Sequence, residues 1–292
     1  MQILVTGLLP HESGKTTITL ELSKRLRNRG YRVFYLKPVA GHSGWYQPDT
    51  LQYTAELGLL IGHDAYVVAR ELGLLSKIRL VNPLDVLTFP LDPLEYRRGF
   101  KAYVNTTMSL SEQAILARLS DPVSDIDTYF LFPDNVKYLS RYLRKVLESV
   151  LNNIVKARAH IYDKPVNFLE ELLDNESIYN SIDRSLKSII EEYDVIVIEG
   201  YNDVAAPTRL ALESDIVLIA SPSKLLIYPG SRYRMSVEAL TPDLKTWRVK
   251  TSSVLDLAGK PMTVFDIPLK TDPLNFEVFA EKLVEFIIEA KM

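Results

Sequence analysis

An apolar run, Ile3-Leu4-Val5, leads through Thr6 and Gly7 into a breaker-rich turn, Leu8-Leu9-Pro10-His11-Glu12-Ser13. Gly14-Lys15-Thr16-Thr17 then opens an amphipathic helix carrying Ile18, Leu20, Leu22 and Leu26. A buried strand, a tight turn and a helix in that order bring backbone N–H groups and the positive end of a helix dipole to one spot. The spacing predicts a phosphate-binding loop, with His11, Glu12, Ser13, Gly14, Lys15, Thr16 and Thr17 as the candidate nucleotide contacts. Lys15 would reach β- and γ-phosphate oxygens, and the Thr16 hydroxyl would ligate Mg²⁺. The strict pattern is not met: Leu9 stands where its first glycine belongs, and Gly7 lies two residues earlier.

Short β-branched or aromatic-rich runs at 2–6, 31–36, 194–198, 215–220, 246–250 and 262–266 alternate with helical patterns. This predicts an α/β chain, a three-layer P-loop NTPase fold whose mostly parallel sheet has helices on both faces. Ligands in such sheets bind beyond the carboxyl ends of the strands. A single domain over 1–292 is expected, with a mostly helical insertion at 100–192. Within it, 109–119 reads as a short helix and Tyr129-Phe130-Leu131-Phe132 as a strand. Pro133 and Asp134 open a long helix to 161, striped by Val136, Leu139, Leu143, Val146, Val150 and Ile154. A second helix, 176–192, carries Ile178, Ile182, Leu186, Ile189 and Ile190. Lys137, Arg141, Arg144 and Lys145 read as a solvated face rather than a phosphate or nucleic-acid patch.

A chain of 292 residues with 47% hydrophobic and 24% charged residues is ordinary for a globular protein with a sizeable core. A net charge of −3 gives no drive toward nucleic acid or anionic membrane, so neither is expected as a partner. With no cysteine, disulfides, thiol catalysis and cysteine metal sites are excluded together. No apolar run reaches transmembrane length, and the N-terminal one lacks the charged flank of a signal peptide, so a cytoplasmic protein is expected. Scarce glutamine, at 2, 47, 52 and 113 only, together with absent cysteine, hints at a thermophilic source.

Two further residues belong with the loop. Lys37 ends the strand after the first helix, in Tyr35-Leu36-Lys37-Pro38, where it could stabilise charge on a transferring phosphoryl group or a carboxylate acceptor. Glu199 follows Val195-Ile196-Val197-Ile198, the usual place for a carboxylate that holds Mg²⁺ or its water. Left unpaired in a buried sheet it would be costly, so a cation or a lysine partner is expected.

Together these residues resemble the dethiobiotin synthetase-like P-loop family, among the SIMIBI-type NTPases. The resemblance rests on Val5-Thr6-Gly7, Glu12-x-Gly14-Lys15-Thr16, Gly30-Tyr31-Arg32 and Lys37-Pro38-Val39-Ala40. It continues in His63-Asp64-Ala65 with Val81-Asn82-Pro83, in Glu199-Gly200, and in Asp266-Ile267-Pro268-Leu269. It implies ATP and Mg²⁺ as cofactors: Lys15 and Thr16 on the nucleotide and metal, Asp64 and Glu199 completing the metal site, and Lys37 on a substrate carbamate. Asp49 competes with Asp64 for the metal role, with a plain helix start as its alternative. The implied reaction is ATP-dependent phosphorylation and ligation of a small carboxylate or carbamate.

The departures are specific. The loop between Gly7 and Gly14 is one residue longer than the family's, with Pro10 and His11 added. Gly200-Tyr201-Asn202-Asp203 replaces a Gly-Ala-Gly-Gly run, and Leu91-Asp92-Pro93 stands where a Ser-Pro-His substrate helix belongs. Lys250, in Val249-Lys250-Thr251, replaces the family's adenine-reading asparagine, which leaves GTP open beside ATP. Two alternatives follow. One is a GTP-binding adaptor, since Ile198-Glu199-Gly200-Tyr201 also looks like the adaptor of molybdopterin–guanine dinucleotide biosynthesis. The other is a nucleotide switch gripping a protein partner through its inserted helices. A homodimer is the expected assembly.

Overall fold

The computed structural model describes residues 1–96, 99–107, 109–121, 124–155, 159–243 and 245–290. The chain begins with β1 (Gln2–Gly7), α1 (Lys15–Asn28), β2 (Val33–Leu36), β3 (Val39–Ser43), α2 (Asp49–Leu57) and α3 (His63–Glu71). Next come α4 (Ile78–Val81), β4 (Leu84–Thr88), α5 (Phe100–Thr106), α6 (Leu110–Gln113), β5 (Ala114–Asp121) and β6 (Ile126–Leu131). They are followed by α7 (Pro133–Val136), α8 (Arg141–Val155), β7 (Ala159–Asp163), α9 (Phe168–Leu173), α10 (Glu176–Lys187) and β8 (Val195–Glu199). The last are β9 (Ile216–Ser221), β10 (Lys224–Pro229), α11 (Gly230–Leu240), α12 (Thr251–Ala258), β11 (Thr263–Asp266) and α13 (Pro273–Glu289).

Two compact units result. The first comprises Met1–Pro38, Val68–Lys77 and Tyr179–Met292, and the second Val39–Val67 and Ile78–Ile178. The first holds a six-stranded sheet in the order β11-β10-β9-β1-β8-β2. Its strands β2, β8, β1 and β9 are parallel, and their unbroken apolar runs are buried, as parallel strands covered on both faces require. Only β10 and β11 run antiparallel to their inner neighbours. The connection from β1 leads to β2 on the β8 side, whereas the connection from β8 leads to β9 on the other side. The carboxyl end of β1 therefore sits where the strand order reverses, the usual crevice for a ligand. Helix α1 packs on β1, β2 and β8, α11 packs on β9 and β10, and the arrangement is the three-layer α/β one expected.

Helix α1 is tied to α13 by charge. Arg25 bridges Glu277 and Glu281, and Arg29 reaches Glu281 and Glu285. Phe279, Leu283, Val284 and Ile287 of α13 are buried.

The second unit has its own five-stranded sheet, β3-β4-β5-β6-β7, parallel at its two ends and antiparallel between. The stripe on α8, with Leu143, Leu147, Val150 and Ile154, packs into its core beside Leu60, Leu87, Leu116 and Tyr129. Arg118 on β5 is fully buried, and its guanidinium donates to Leu60 O, to Asn82 O and Oδ1, and to Ser120 Oγ.

Several expectations are corrected. The stretch 100–192 is rich in helix but also supplies β5, β6 and β7, and it is divided between the units at 178/179. Residues 109–119 are not one helix: Ser109 caps the single turn α6, and Ala114 starts β5, where pairing with β4 and β6 outweighs local helix preference. The helix expected over 134–161 breaks at 137–140, because the Ser140 hydroxyl accepts from Leu143 N–H and starts α8 afresh. Its segment 156–158 lies outside the described residues, and 159–161 belong to β7. The expected helix over 176–192 ends at Lys187. Residues 246–250 form a 3-10 turn and one bridge, Val204 to Lys250, instead of a strand, and β10 was not foreseen. Arg141, Arg144 and Lys145 are exposed.

Asp183 on α10 is buried and accepts the Leu210 N–H, at 3.1 Å. Burial pushes its carboxyl up, partly opposed by the Thr208 hydroxyl, the Leu210 amide and Lys187. A carboxyl raised in the folded state adds stability in acid and loses that contribution as pH rises through its folded value. Asp183→Asn, which mimics the protonated form, should therefore raise the urea midpoint relative to the parent at pH 8. The gain should vanish near pH 4 if the group titrates as argued.

Candidate functional site

The carboxyl ends of β1, β2 and β8 bring four of the predicted residues together. Glu199 ends β8, opposite Val5 of β1, and is fully buried. Its Oε1 accepts from Lys37 Nζ at 2.6 Å and from Thr16 Oγ1 at 2.9 Å. Its Oε2 accepts from the Tyr35 hydroxyl at 3.1 Å. Lys37 is the lysine partner the sequence called for, and its side chain is only 6% exposed.

The loop that precedes α1 is shaped by backbone conformation. Glu12 has φ 52° and Gly14, the residue that starts the helix, φ 90°; both lie in the left-handed region. No side chain caps the head of α1. Gly7, at the end of β1, lies close to the side chains of this turn. A Cβ on Gly7 would fall 2.4 Å from Ser13 Oγ and 2.8 Å from Lys15 Nζ, so the hydroxyl and the ammonium could hold these places only where no side chain stands. Lys15 is buried, donating to Ser13 Oγ at 3.1 Å and to the Asn202 carbonyl at 2.7 Å. His11, Glu12 and Gly14 are exposed, and Thr17 is half-buried.

One buried ammonium, that of Lys37, thus stands against the Glu199 carboxylate, and a second, that of Lys15, is held by Ser13 and Asn202 at the head of α1. In a poorly screened setting that arrangement attracts anions. Thr16 and Glu199 present neighbouring oxygens of the kind Mg²⁺ takes from a protein when phosphates and water fill its other positions, so the pair fits that ion. Among the described residues no group of three or more His, Asp or Glu gathers as metal ligands.

Of the remaining candidates, Lys250 belongs to the first unit and Asp49 and Asp64 to the second. Lys250 precedes α12; its amine is 3.5 Å from Asp203 Oδ2, and its side chain is two-thirds exposed. Asp64 and Asp49 belong to the second unit, Asp64 half-buried in the first turn of α3 and Asp49 exposed at the head of α2. Also in that unit, Asp85 Oδ2 accepts the Gly62 N–H at 2.8 Å, just before α3. His42 Nδ1 lies 2.8 Å from Asp85 Oδ1 but off the line a hydrogen bond needs.

Tyr35 and Asn202 had no assigned role in the sequence. Tyr35 could have been found, since two residues before Lys37 on a strand it shares that side chain's face. Asn202 could not, because a backbone carbonyl leaves no mark in composition. No family model matches the chain, and neither does any curated protein. Among the described residues no helix is long and apolar enough to cross a membrane.

Removing one member of a buried ion pair strands the other. Lys37→Met should therefore lower the unfolding free energy by about 3 kcal/mol in chemical denaturation, and adding Glu199→Gln should restore most of that loss.

Proposed function

We propose that this protein is a Mg²⁺-dependent P-loop nucleotide-binding enzyme similar to the dethiobiotin synthetases, using ATP to phosphorylate a small carboxylate or carbamate. The observation that carries the reading is that Thr16 and Lys37 both donate to Glu199 at the point where the strand order reverses, with the buried Lys15 next to Thr16 at the head of α1. The amides at the head of α1 would bind β-phosphate oxygens, and the Lys15 ammonium would neutralise charge between the β and γ groups. Thr16 and Glu199 would hold the magnesium ion, which supplies charge neutralisation to the phosphates when bound. Lys37, within reach of Glu199, would orient the acceptor carboxylate and stabilise the charge it gathers during transfer. Tyr35 would keep the carboxylate of Glu199 turned toward Thr16. Catalysis of this kind is mostly positioning and electrostatics, which suits a site of two lysines and one carboxylate with no nucleophile of its own.

Calorimetry with ATP and with GTP, each with Mg²⁺, tests the reading. The parent should bind at least one of them, and Lys15→Ala should weaken binding by about tenfold or more, the equivalent of one charge-assisted contact. A Lys15→Ala protein with parental affinity and phosphate release would overturn it.

A further inference from the structure

The turn at 200–203 is built around the ammonium of Lys15. Its Asn202 residue has φ 45°, in the left-handed region, and in that conformation its carbonyl accepts from Lys15 Nζ at 2.7 Å. Each carbonyl that follows is also taken. Asp203 O accepts from Thr251 N at 2.7 Å, and Val204 O from the hydroxyls of Thr6, at 2.6 Å, and Thr251, at 3.2 Å. Ala205 O accepts from the Tyr233 hydroxyl and Ala206 O from the Thr246 hydroxyl, each at 2.9 Å. Ala205 N donates in turn to Val249 O at 2.7 Å, and Val204 pairs with Lys250. Donors from β1, α11 and the 246–251 segment thus hold residues 203–206, while Asn202 is held by the loop lysine.

We infer that the 200–203 turn is a phosphate-responsive latch, in which the Asn202 carbonyl occupies the Lys15 ammonium until an anionic phosphate displaces it. The inference rests on the proposal that Lys15 binds phosphate. A neutral carbonyl is a weaker partner for an ammonium than a phosphate oxygen, so the exchange runs toward the ligand. Once the ammonium leaves, the left-handed conformation at Asn202 loses that contact and is left with the turn's own bond from Val204 N to Tyr201 O, at 3.3 Å, so the turn relaxes. The bonds of residues 203–205 to 249–251 carry that change into the segment ahead of α12. Aromatic contacts carry it a second way: the Tyr201 hydroxyl is 3.5 Å from that of Tyr179, whose ring stacks on Trp247 at 4.0 Å and 16°. Occupancy of the phosphate end is in this way felt at 246–251, the segment that bears Lys250.

The chain has two tryptophans, Trp45 and Trp247, and Trp45 is 53% exposed, so Trp45→Phe leaves Trp247 as a sole reporter. Fluorescence and calorimetry on this variant would be run with pyrophosphate, ATP and GTP, each with Mg²⁺. Trp247 emission should change with the same half-saturation as the heat of binding. Adding Asn202→Ala makes the left-handed conformation costlier, so the ligand-free protein should melt lower while binding tightens about fivefold, opposite signs that a merely structural role would not give. Asn202→Gly, which adopts that conformation at no steric cost, should bind no tighter than the Trp45→Phe parent. Heat without a Trp247 response, or no tightening in Asn202→Ala, overturns the latch and leaves the nucleotide site standing. Absence of heat with all three probes overturns both.

Discussion

A carboxylate buried at the end of an apolar strand organises the first unit. Stripping Glu199 of water is expensive, and the chain meets the cost with three donors from two stretches: Tyr35 and Lys37 in and just beyond β2, and Thr16 on α1. The Thr16 bond ties the start of α1 to the end of β8. That start in turn sets where the uncapped amides and Lys15 stand. Structural and chemical demands therefore coincide on one side chain, and the candidate site needs no separate scaffold.

Much of this was legible in the sequence because it is local. A strand, a turn with Gly14 and a helix head are contiguous, and a buried glutamate demands a cation wherever it lies. That demand called for a cation or a lysine, and the structure supplies Lys37. The closeness of Gly7 to the turn was harder to read, since it depends on where the Ser13 and Lys15 side chains lie. The role of Asn202 was out of reach, because it is played by the main chain.

The second unit was the poorly legible part. Residues 110–119 are rich in alanine, leucine, glutamate and glutamine, which favour helix, yet from Ala114 onward they form a central strand flanked by β4 and β6. Cross-strand pairing and burial decide such cases, and neither is visible in a short window. Arg118 shows the same limit: a charged residue in mid-strand suggests an exposed face, but the carbonyls of Leu60 and Asn82 make a buried place for it. At 246–250 the opposite happened. Residues with strand preference found only one bridging partner, Val204, and remained a turn.

The charged seam between α1 and α13 has a thermal meaning. Arg25 and Arg29 face Glu277, Glu281 and Glu285 as a connected network rather than as isolated pairs. Ion hydration becomes less favourable on heating while apolar burial gains little more, so a network of this sort grips harder as the solvent warms. The helix that presents Lys15 is thereby braced at its far end by the one class of contact that strengthens when others loosen. Its N-terminal tip should keep its register on β1 at temperatures where a purely greasy seam would begin to slide.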